Sequence, residues 1–172
     1  MLRLIPALIL VAALPATTAS FGASKPWVEP VPGLLDRIDR DYLAPETEYG
    51  PGHRGIDFLI SPKEPISAPV SGEVAFVGKV VNRMVLTIRG YDGYLAGFEP
   101  LCASVELNQE VTAGEVVGKW CEPEASYINH CPKTCLHLSA RNSEGYVNPL
   151  WLMGLIEPSR LMPLDEPVDS LP

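Results

Sequence analysis

Apolar and polar positions through the middle of the chain alternate in short runs and do not recur at the spacing of a helix face. The runs at 56–60, 65–69, 73–81, 84–89 and 93–101 each have the length of a strand, and 115–120 and 136–141 continue the pattern. Gly72, Gly78, Asn82, Gly90 and the pair Asp92-Gly93 punctuate them, the last being a strong hairpin signal, and residues 142–145 turn the final strand back. No helical segments alternate with these strands to build a parallel sheet, so the pattern predicts an all-β domain. Helical structure is expected only at its margins: a turn or two at 34–40, where a strand is the other choice, and a short helix or turn at 151–155.

The ends differ from the middle. Arg3, an apolar run at 4–14 and the small residues 16–20 predict a secretory signal peptide over 1–20; the run is too short to be a permanent membrane helix. An uncleaved signal would tether the chain to a membrane, and no later stretch is apolar enough to cross one. Residues 21–49 form a proline-rich arm expected to lie over a core, 50–156 form the domain, and 157–172 form a second proline-rich tail. The formal net charge of −8 argues against nucleic acid, because phosphate binding needs a basic face. Such acidity leaves a neutral or zwitterionic peptide open as a ligand. A chain of 172 residues buries a sizeable core as one domain, and a monomer is expected.

Export places the four cysteines, Cys102, Cys121, Cys131 and Cys135, in an oxidising compartment, and their even number favours two disulfides. Three pairings are possible. Cys131 with Cys135 is preferred because the two bracket a short Pro-Lys-Thr turn, which leaves Cys102 with Cys121.

Two polar stretches stand out against this background. His53 and Asp57 lie in Gly50-Pro51-Gly52-His53-Arg54-Gly55-Ile56-Asp57, where the glycines favour a turn entering a strand. His137 closes Cys131-Pro132-Lys133-Thr134-Cys135-Leu136-His137, and strand alternation puts Cys135 and His137 on one face. Two imidazoles and a carboxylate from distant segments are a ligand set for catalytic zinc, which keeps a position open for water. By itself, His-x-x-x-Asp is a weak signal.

In order and spacing these stretches resemble the lysostaphin-type zinc metallopeptidases, which hydrolyse peptide bonds in bacterial peptidoglycan. The resemblance spans about Trp27 to Leu164: His53 to Asp57, a Pro-Val-x-Ala-like segment at 66–74, a strand pair at 84–101, a glycine-spaced stretch at 105–118, Cys135 to His137, and Asn148-Pro149-Leu150. It implies a small antiparallel β-sandwich, zinc held by His53, Asp57 and His137, and a peptidoglycan peptide as substrate, secreted or at the cell wall. It also implies two auxiliary histidines. Cys135 occupies the position of one, and the other falls near Phe98-Glu99-Pro100-Leu101 at Pro100. Glu99, His130 and Tyr94 are the candidate substitutes, each with a plainer reading as a solvated, loop or packing residue. Cys135 has three readings: a disulfide with Cys131, a fourth zinc thiolate closing the site, or a nucleophile. Trp120, Trp151, Phe76 and Phe98 are expected in the core, and Arg54 and Arg141 could meet a substrate carboxylate. The losses leave two functions open, a zinc metalloendopeptidase or a catalytically degenerate module that binds wall peptides or regulates a partner hydrolase.

Overall fold

The structure, a computed structural model, describes residues 27–126, 131 and 134–157. The signal peptide, most of the C-terminal tail and His130 lie outside them. Strands β1 (Ile38–Arg40), β2 (Ile56–Leu59), β3 (Pro65–Ser67), β4 (Gly72–Val80), β5 (Arg83–Gly90) and β6 (Leu95–Glu99) are followed by β7 (Leu101–Ala103), β8 (Glu110–Val111), β9 (Val116–Trp120), β10 (Cys135–Asn142) and β11 (Gly145–Val147). The helical pieces are a 3-10 turn at Leu34–Arg37 and α1 (Pro149–Leu152), whose first turn is capped by Asn148 accepting from the Leu150 N–H at 3.0 Å.

All of the ladders are antiparallel, as expected for a lysostaphin-type fold. The large sheet runs β1-β2-β10-β6-β5-β4-β8, with β11 added to β10, and a small sheet runs β3-β9-β7. One face of the large sheet carries Phe58, Leu136, Leu138, Phe98, Leu86 and Ile88, all fully buried, in one cluster with Ile66, Leu101 and Val117 of the small sheet. Its other face carries His137, Ser139 and Arg141 of β10 and stays open. Period-two alternation therefore separates a closed apolar face from an open polar one.

Three departures from the sequence pattern have physical causes. The run 93–101 divides at Pro100, which has no N–H to extend the ladder, and the chain passes from the large sheet to the small one. Gly78, read as a turn point, lies inside β4. Ahead of it the β4–β5 register shifts between Val74 and Phe76, so that Val74 faces Ile88, Phe76 faces Thr87 and Val77 faces Leu86. That bulge turns Phe76 out of the core and Val77 in. Phe76 is thus 40% exposed, against expectation; Trp151, in α1, is also 40% exposed, while Phe98 is buried and Trp120 packs at the core edge.

The first part of the 27–49 segment packs into the same core, while 43–49 are largely exposed. Trp27, Val31 and Leu34 are buried in it, and β1 pairs with β2. The Trp27 indole N–H donates to Asp92 in the Asp92-Gly93 turn at 2.6 Å, and Tyr94 meets the Trp27 ring edge-on. Arg37 donates to Glu64 at 2.6 Å and the Ser61 N–H donates to the other Glu64 oxygen at 3.1 Å. Burial raises the Glu64 pKa, but these two donors and the guanidinium charge outweigh it and hold the carboxyl below its ordinary value. A depressed folded pKa stabilises above the unfolded pKa and is lost as pH falls through the folded one. Glu64→Gln is therefore expected to cost about 0.5–1 kcal/mol at pH 7, solvent screening keeping the loss of this partly exposed pair small, and to converge with the wild type as acid protonates the carboxyl, read from urea melts across pH.

Candidate metal centre

The site forms where β10 lies between β2 and β6. Antiparallel register sets His137 opposite Asp57 on one side and opposite Glu99 on the other. Directly opposed residues project from the same face, so an imidazole and a carboxylate are placed together by backbone pairing alone. His53 arrives from the loop before β2. A two-way backbone bridge fixes it: the Leu43 N–H donates to the His53 carbonyl at 2.9 Å and the His53 N–H to the Leu43 carbonyl at 2.8 Å. Gly52 permits that approach, since a Cβ there would stand 2.7 Å from the Leu43 oxygen.

His53 Nε2, Asp57 Oδ1 and His137 Nδ1 form a triangle with sides of 3.2, 2.7 and 3.2 Å. Tetrahedral zinc with bonds of about 2.0–2.1 Å separates its donors by about 3.3 Å, close to two of these three sides. His53 Nδ1 lies 2.7 Å from the Asp41 carbonyl oxygen and donates to it, so a neutral His53 turns the lone pair of Nε2 into the triangle. Nε2 and Asp57 Oδ1 are then two acceptors 3.2 Å apart, a repulsive pair that a cation between them makes attractive. Asp57 is only 1% exposed, and a buried carboxylate needs a compensating positive charge. Among the described residues this is the group of His, Cys, Asp and Glu side chains close enough to hold a metal ion.

The cysteines resolve the three readings of Cys135. Its sulfur is bonded to that of Cys131 at 2.00 Å, and Cys102 is bonded to Cys121, matching the preferred pairing. A disulfide sulfur is neither a zinc thiolate nor a nucleophile, so both of those readings are set aside and Cys135 has no catalytic part. Tyr94 packs against Trp27, away from the triangle. Glu99 and not Pro100 is the residue of its stretch that shares the open face with His137. Its carboxylate pairs with Arg83 at 3.1 Å. Both line a groove of about 330 Å3 that runs from His137 past Ser139 towards Arg54 and Arg141.

The sequence reading missed Asp41, Leu43 and Arg83. Asp41 and Leu43 act through backbone atoms, which leave no side-chain signature. Arg83 is adjacent to Glu99 only through the β5–β6 pairing.

The model of peptidase family M23 matches residues 51–149. Uncharacterized proteins of Mycobacterium bovis and Mycobacterium tuberculosis are 31% identical over 141 residues, 80% of this chain and 53% of theirs. The chain thus spans about half the length of the curated relatives it matches. Among solved structures, a zinc-containing peptidase from Vibrio cholerae superposes with a TM-score of 0.55 at 19% identity, over 74% of this chain and 40% of that one. The catalytic domain of lysostaphin from Staphylococcus simulans superposes with a TM-score of 0.54 at 18% identity, over 70% of this chain and 94% of that domain. At these identities the superpositions speak to the fold.

Gly55 offers a direct test of how tightly the site is packed. A Cβ there would press on the Leu138 carbonyl and lie 2.6 Å from His137 Nε2. Gly55→Ala should destabilise by about 1–3 kcal/mol, as overpacking does, and shift the imidazole NMR resonances of His137. An unchanged melting temperature with unmoved resonances would contradict this packing.

Proposed function

Because the chain belongs to peptidase family M23, we propose that it is a secreted zinc metalloendopeptidase that hydrolyses peptide cross-links of bacterial peptidoglycan. The observation that carries the proposal is the convergence of His53 Nε2, Asp57 Oδ1 and His137 Nδ1 on one point at the end of an open groove. Two imidazoles and one carboxylate suit zinc better than calcium or magnesium, which take oxygen ligands. Zinc held there would supply a Lewis acid for the scissile carbonyl and lower the pKa of water to about 7.

The remaining work falls to the chain. The Asp41 carbonyl fixes the tautomer and tilt of His53, and the β2–β10 ladder fixes Asp57 against His137. The open face of β5, β6 and β10 supplies a floor on which an extended peptide lies. Glu99, opposite His137, is assigned the proton transfer: its carboxylate takes a proton from the attacking water and returns it to the leaving amine nitrogen. Arg83 orients that carboxylate from 3.1 Å.

The same ion pair favours a second reading. With Glu99 held by Arg83 and Cys135 committed to a disulfide, the groove would bind wall peptides, or regulate a partner hydrolase, without cutting. Release of new amino groups from purified cell walls separates the two. The wild type should release them, His53→Ala should not, and Glu99→Gln should lower kcat roughly 10²-fold with KM little changed. Wall binding by the wild type with no more release than His53→Ala would leave the second reading standing.

A further inference from the structure

The groove at the metal centre does not end at Arg54 and Arg141. A second cavity of about 730 Å3, between the 42–48 segment and the β10–β11 hairpin, shares Arg54, Arg141 and Tyr146 with it. The two arginines therefore stand where the groove beside His137 and the second cavity adjoin, and the two are treated together as one channel. Neither forms an ion pair among the described residues. Arg54 instead donates from Nη2 to the backbone carbonyls of Glu48 at 2.9 Å and Gly50 at 3.1 Å, which holds its guanidinium while neutralising none of its charge. The Tyr42 hydroxyl donates to the Tyr146 carbonyl at 2.8 Å, fastening the segment to the hairpin and giving the junction a fixed frame.

We infer that Arg54 and Arg141 form a subsite for a free carboxylate on the bound peptide, close to the bond that is cut. The inference rests on the peptidase reading for where the cut lies. A guanidinium presents paired N–H donors that match a carboxylate, and two of them flanking one channel select an anionic group over its neutral amide. Acidic side chains make the outer cavity unfavourable for such a group. Glu99 stands on the metal side, already paired to Arg83, while Glu46, Glu48 and Glu144 line the outer cavity. A carboxylate is thus favoured at the junction over the outer cavity, which limits where the peptide can be seated as well as its chemistry.

The test uses a short wall-stem peptide with one free carboxylate beside the cross-link position and the same peptide with that carboxylate amidated. Each is titrated calorimetrically into the full chain with chelator present, so that binding is read without turnover. The acid should bind at least about tenfold more tightly than the amide, and Arg54→Gln and Arg141→Gln should each remove most of that difference, leaving the amide within about twofold. The Arg141 side chain makes no hydrogen bond or ion pair among the described residues, its backbone alone being held in the β10 ladders, so its variant reads the subsite even if Arg54→Gln loosens the 48–50 turn. Equal affinity for acid and amide, equal loss of both in the variants, or no binding of either would overturn the subsite. Wall cleavage is scored separately: discrimination without cleavage defeats the peptidase and keeps the subsite, and cleavage without discrimination does the reverse.

Discussion

The antiparallel pairing of β2 with β10 is the constraint on which the rest depends. It places His137 opposite Asp57 and, in the same stroke, Leu136 opposite Phe58 and Leu138 opposite Ile56. A slip of one residue would exchange the two sets, sending the ligands into the core and the leucines into the groove. Burial of Ile56, Phe58, Leu136 and Leu138 thus fixes the register that builds the polar site. Core and site are two faces of one ladder, and neither can be altered in register without the other.

Much of this was legible in the residues themselves. His53, Asp57 and His137 could be read because their side chains do the work, and most strands could be read because each buries one face. The bulge in β4 was not legible: alternation continues smoothly through Val74 and Phe76, and only the pairing with β5 shows the slip that exposes Phe76. The bond from His53 to the Asp41 carbonyl was equally hidden, since any residue carries that atom. Arg83 and Glu99 are sixteen positions apart in sequence and meet only after β5 and β6 align. What escaped the sequence was what backbone atoms and strand register decide.

Around the metal centre the polar side chains are each held by a defined neighbour. Asp57 is buried between two imidazoles, and Glu99 is matched by Arg83. The sulfur of Cys135, one alternation from His137, is bonded to Cys131. Each of these arrangements stiffens a residue beside the metal centre. The loop that precedes β10 is thereby tied to the strand that carries the last ligand.

The bridge between Leu43 and His53 bears on where this protein begins as a working unit. The family match starts at residue 51, yet the grip on the first ligand comes from Asp41 and Leu43, and the core beneath is completed by Trp27, Val31 and Leu34. A fragment cut at the edge of the family match would keep all three ligands and lose the clamp that aims one of them. The segment that positions the first ligand thus lies N-terminal to the family match.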